Sequence, residues 1–115
     1  MMMCSPSVLA MILAKIGKTA KDIFGNKLCH VYLYGSYARG DQTEDSDVDI
    51  MIVADVSAVE LYHYKLPFIR LSSELGLEND TVITVTLKDA DTFNRYRNAV
   101  PFYRNVLNEG VSVAV

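Results

Sequence analysis

Cysteine is scarce in this sequence, with Cys4 and Cys29 the two among 115 residues. Neither they nor the two histidines, His30 and His63, lie at a zinc-ligand spacing. We expect no disulfide and a reducing compartment, with Cys29, set in an apolar run, as a buried thiol. No run of about 18 apolar residues occurs, so no membrane span is expected. The opening MMMCSPSVLAMILAKIGKTAK has a short apolar run with its lysines after it, the wrong order for a signal peptide. A soluble, cytoplasmic protein is the expectation. Basic charge is in deficit, at net −3 with a pI near 5.2, which argues against an extensive nucleic-acid surface. Repeats, low-complexity tracts and linkers are absent. What is present is an ordinary globular composition, 50% hydrophobic and 22% charged, of a length that makes one domain over residues 1–115.

Ser5-Pro6 reads as a helix cap followed by Pro at the first helical position. Leu9, Ile12, Ile16, Ala20 and Ile23 continue at helical spacing, and Gly25 can end the helix. Leu28 to Tyr34 (LCHVYLY) reads as a buried strand. Gly35 breaks it, and Ser36 to Gly40 leaves room for one helical turn. After a polar loop, Ser46 to Val53 is a second strand, pairing with the first in hairpin fashion. Ser57-Ala58-Val59-Glu60 matches a capping box for a helix to Leu75 with Gly76 as its cap, broken near His63 to Leu66 by Pro67. Thr81 to Leu87 alternates as a strand. Asp89 or Asp91 caps a short helix through Phe93 and Tyr96, and PFYRNVLNEG is a last helix ending at Gly110. The order α-β-β-α-β-α-α predicts an α/β (α+β) fold, a small mixed β-sheet covered by helices.

Asp47 and Asp49 stand out. In a strand, residues two apart share a face, so the two carboxylates project side by side, with Met51 and Val53 continuing that face. Adjacent carboxylates repel unless something positive sits between them. An Arg or Lys would serve, as would a divalent cation, and an oxygen-only pair suits Mg²⁺, which keeps waters and substrate phosphates as its other ligands. The alternative is a solvated sheet end with ordinary acids. A calcium loop beginning at Asp45 fails, with Ile50 where Gly belongs and Val56 where the bidentate Glu belongs.

Gly35-Ser36-Tyr37-Ala38-Arg39-Gly40 is not a Walker A loop, since Asp41-Gln42 replaces Lys-Ser/Thr, and it lacks the middle Gly of a dinucleotide fingerprint. A strand ending in Gly before a helical turn is still suited to anions, because the backbone can approach a phosphate closely and free N–H groups face it. Taken alone, such a turn only reverses the chain. Its pairing with two acids on the next strand is what a Mg²⁺-bridged triphosphate needs.

Gly35-Ser36-x-Ala38-Arg39-Gly40, a short acidic loop, then Ser46-Asp47-x-Asp49 resembles the signature of the DNA polymerase beta-like nucleotidyltransferase superfamily. The length resembles its minimal nucleotidyltransferase (MNT) branch. The resemblance implies transfer of a nucleoside monophosphate, AMP from ATP or its equivalent from another NTP, to a hydroxyl. It implies that Gly35 and Ser36 hold the β and γ phosphates and that Asp47 and Asp49 ligate two Mg²⁺ ions. Arg39 either touches substrate or pairs with Asp41 or Asp45 to hold the loop. The family's third carboxylate falls near Asp80, the one acid beside the later strand, or is absent, with Thr84 on the same face as Asp80 and Val82 at the family's position. Minimal members are often paired with a small helical HEPN-type protein, so the resemblance implies such a partner in a toxin–antitoxin-like pair. Two other functions remain open: a catalytically incomplete module that binds nucleotide or partner, and a small-molecule (aminoglycoside-like) nucleotidyltransferase. A homo-oligomer is also compatible. Phe93, Tyr96, Phe102 and Tyr103, with Arg95, Arg97 and Arg104 between them, are a candidate docking surface, although Phe93 and Phe102 are expected to pack the chain's own core.

Overall fold

The computed structural model describes residues 4–113; Met1 to Met3, the head of the segment weighed as a leader, lie outside the described residues. The Ser5 hydroxyl accepts a hydrogen bond from the Val8 N–H at 3.2 Å and opens α1 (Pro6–Phe24). Ile12, Ile16 and Ala20 form its buried stripe, and Gly25 ends it with a positive φ of 57°. A 3₁₀ turn leads into β1 (Leu28–Tyr34), followed by α2 (Ser36–Arg39), β2 (Val48–Ala54), α3 (Ala58–His63), α4 (Lys65–Glu78), β3 (Ile83–Asp89), α5 (Ala90–Tyr96), α6 (Pro101–Glu109) and β4 (Val111–Ser112). None of the described helices is long and apolar enough to cross a membrane.

The four strands form one mixed sheet in the order β3-β2-β1-β4. β1 runs antiparallel to β2 and to β4, while β2 and β3 are parallel. Parallel neighbours need a crossover, and α3 with α4 supplies it. The register sets Tyr34 and Thr84 on either side of Asp49. β4 was not read from the sequence; two residues carry too little pattern to mark a strand.

Strand alternation divides β2 between two cores. Val48, Ile50, Ile52 and Ala54 pack into a large cluster with Ile12, Ile16, Phe24, Leu61, Phe68 and Leu75 of the α1, α3 and α4 layer. Met51 and Val53 face the other way, into a small cluster with Ala90, Phe93 and Val106 of α5 and α6.

Five sequence expectations change, the first being the start of the second strand, which falls at Val48 and not at Ser46 and leaves Asp47 outside it. Cys29 is exposed, because the β1–β2 register slips between Leu28 and His30. Cys29 is the extra residue of that bulge and turns outward. Gly76 does not end its helix. α4 runs on to Glu78, and the chain then folds back so that a Cβ on Gly76 would lie 2.7 Å from the Thr81 carbonyl oxygen. The Thr81 N–H donates to the Gly76 carbonyl at 3.0 Å across this approach. The third strand spans Ile83–Asp89, later than expected; of the two caps offered for α5, Asp89 is the one used, accepting from the Thr92 N–H at 2.9 Å as expected. Phe93 is fully buried as expected, but Phe102 is 44% exposed. The break between α3 and α4 falls at Tyr64 and leaves Pro67 in the first turn of α4, where its missing N–H costs no helical hydrogen bond.

Candidate active site

The site lies where β1 ends and β2 begins. β1 delivers the chain to Gly35, which takes φ 74°, a value other residues adopt at a cost. Gly35 also has no room for a side chain, since a Cβ there would lie 2.5 Å from Asp49 Oδ2. The turn therefore presses its backbone against the carboxylate, and glycine is required twice over at this position. Ser36 starts the one-turn α2, and Gly40 closes it in the left-handed conformation. The acidic loop that follows is held by Ser46, whose hydroxyl accepts from the Thr43 N–H at 2.9 Å.

Asp49 is the second residue of β2 and half-buried; Asp47, just before the strand, is exposed. Burial pushes the Asp49 carboxyl above the usual carboxylate range, the neighbouring Asp47 charge pushes it further, and Arg39 partly opposes them. The two charges thus interact, although β2 begins at Val48 and leaves Asp47 just outside the alternation expected of the pair. Burial also raises Tyr34, with Asp49 adding to the effect and a contact with Thr86 opposing it. Arg39 pairs with Asp41 at 3.2 Å, the local partner read from the sequence, and with Glu109 of α6 at 3.3 Å. Glu109 lies 70 residues away along the chain, and no local pattern points to it.

Asp80 is not brought to the pair. It sits in the turn after α4, at a left-handed φ of 49°, four residues before Thr84, and lines a separate cavity with Ser72, Ser73, Gly76 and Leu77. The position beside Asp49 on β3 is Thr84. Among the described residues, no group of three acids, histidines or cysteines is placed to hold a metal ion. The donors that do converge are two carboxylates with an open, solvated side. That set fits Mg²⁺, which takes one or two carboxylates and completes its octahedron with water and phosphate oxygens.

Residues 13–111 match the family model described as a nucleotidyltransferase domain. The chain belongs to the nucleotidyltransferase family. A relative in Methanocaldococcus jannaschii, named "Putative protein adenylyltransferase", is 40% identical over 90 residues, 78% of this chain and 82% of its own length. Among solved structures, a "putative nucleotidyltransferase" of Sulfolobus solfataricus superposes with a TM-score of 0.56 at 21% identity, covering 90% of this chain and 78% of that one. The MNT antitoxin complex with a tri-AMPylated HEPN toxin from Shewanella oneidensis gives a TM-score of 0.50 at 22% identity, covering 92% and 71%. At these identities the structures establish the nucleotidyltransferase fold. This nucleotidyltransferase is an enzyme of nucleotidyl transfer, and the corner formed by Gly35, Ser36, Asp47 and Asp49 is its candidate centre.

Proposed function

We propose that this nucleotidyltransferase moves AMP from ATP to a hydroxyl on a partner protein. The observation that carries the reading is the contact of Gly35 with Asp49, which sets a phosphate-binding turn and an acid pair in one corner. The turn's N–H groups and the Ser36 hydroxyl hold the β and γ phosphates, and Asp47 and Asp49 hold Mg²⁺. When bound, the metal neutralises phosphate charge as pyrophosphate leaves. The protein contributes alignment, placing the α-phosphorus between the acids and the acceptor oxygen. Bond making joins that oxygen to phosphorus, the bond to pyrophosphate breaks, and the hydroxyl proton goes to solvent. The relative named as a protein adenylyltransferase supports a protein acceptor. The MNT–HEPN pair supports a small helical HEPN-type partner, and exposed Tyr96 and Phe102 offer it apolar contacts.

A second reading is favoured by Thr84, which sits where a third carboxylate beside Asp49 would have to project. In that reading the chain binds nucleotide or partner without completing transfer. A labelled-ATP assay with Mg²⁺ and the product of the adjacent gene separates the two. Transfer of label and a mass gain of AMP on the partner, both lost in Asp49→Asn, support the enzyme. A stable complex with no label supports the binding module.

A further inference from the structure

A cavity of about 150 Å³ opens beside the phosphate turn, with Tyr34, Gly35 and Arg39 on one wall and Phe102, Asn105, Val106 and Glu109 of α6 on the other. Among the described residues, Arg39 is the one cation lining it and Glu109 the one acid, and they face each other at 3.3 Å. We propose that Glu109 is a gate on the polyphosphate site: its carboxylate occupies the Arg39 guanidinium that an incoming phosphate tail would otherwise engage. This deepens the nucleotide-binding reading above and rests on it.

The charge arrangement carries the argument. Arg39 already satisfies Asp41 through Nε, so Glu109 on Nη1 is a second acid on one guanidinium. A phosphate tail entering the cavity would meet attraction from Arg39 and repulsion from Glu109 at the same wall. It gains the guanidinium only when Glu109 swings away. The backbone of Glu109 is not free to retreat. The Gly110 N–H donates to the Val106 carbonyl at 2.8 Å, a Cβ on Gly110 would collide with that oxygen, and Val111 pairs with Leu33 of β1. Both side chains of the ion pair are 42% exposed, so rotation of the carboxylate into water is the inexpensive route. Exposed ion pairs are weak, so a nucleotide can open the gate and still bind less tightly because of it.

The test is calorimetry of the wild type, Glu109→Gln and Glu109→Lys with MgATP and, separately, with inorganic tripolyphosphate and Mg²⁺. All three proteins are first checked by circular dichroism, and the exposed position makes the substitutions compatible with folding. Affinity should rise from wild type to Gln to Lys, by up to about fivefold for the first step, as expected of an exposed ion pair. Tripolyphosphate should show the same ratio as ATP, because the gate acts on the tail and not on the nucleoside. Equal affinity in wild type and Glu109→Gln, weaker binding in either variant, or a gain confined to ATP overturns the gate while leaving nucleotide binding intact. Absence of MgATP binding in all three proteins overturns the nucleotide-binding reading and the gate with it.

Discussion

The two faces of the sheet are built to different standards. On one, α1, α3 and α4 bury Val48, Ile50, Ile52 and Ala54 in a continuous core. On the other, α5 and α6 cover Met51 and Val53 and stop short of Asp49 and Thr84, so the same strand that anchors the fold leaves Asp49 only half-buried beside an exposed Thr84. A face closed by a third helix layer would have no place for a substrate. The thin face trades apolar burial for an accessible carboxylate that is held above its ordinary pKa by burial and by Asp47.

The largest expected difference between the faces comes from a matched pair of truncations. Phe68 and Phe93 are both almost fully buried, one in each core. Phe68→Ala should cost about 3–5 kcal/mol. Phe93→Ala should fall at the low end, near 3 kcal/mol, because the small cluster can collapse into the space more completely. Urea denaturation measures both, and a larger loss at Phe93 would break the comparison.

The next effect has the opposite sign. Asp49→Asn should remove transfer activity by at least about 100-fold, equivalent to about 2.7 kcal/mol of barrier, yet raise the melting temperature of the metal-free protein. With its folded pKa raised, Asp49 binds its proton more readily folded than unfolded, so stability falls as pH rises from the unfolded value near 3.9 through the folded one. The stabilisation by Asn should therefore be complete above that window and vanish below it. Thermal melts across pH 3–8 read this directly; a variant less stable than wild type at neutral pH would contradict it.

The smallest effect concerns the start of α5, the thin face's own cover. Asp89→Ala removes the acceptor for the Thr92 N–H and should cost about 1 kcal/mol. Asp89→Asn keeps a capping oxygen and should cost less. Equal losses in both would mean that charge, and not the cap, matters there.

Most of the elements were legible because their signals are local. Ser5 and Ser57 cap the helices they were expected to cap, and LCHVYLY is a strand from its first residue to its last. The acid pair was legible in part: Asp49 lies in β2 as expected, whereas Asp47 precedes the strand and is close enough only for its charge to raise the Asp49 pKa. The features that escaped are long-range. Glu109 reaches Arg39 only after α6 has docked, Gly76 reads as a cap until the chain is seen to fold over it, and the bulge that exposes Cys29 depends on a partner strand. Asp80 looked eligible by sequence distance, but the parallel register hands its intended place to Thr84.

That parallel register also has a kinetic side. The β1–β2 pair closes over residues 35–47, whereas β2–β3 pairing must close over 55–82. In chain entropy alone the second closure costs only about 0.6 kcal/mol more, the increment for a doubling of loop length. The larger difference lies in what the loop contains: the β2–β3 connection carries α3 and α4 across the sheet, and the β1–β2 connection only the one turn of α2. The candidate corner is thus the part of the sheet with the shorter loop to close, and topology alone predicts that it assembles before the strand that flanks it with Thr84.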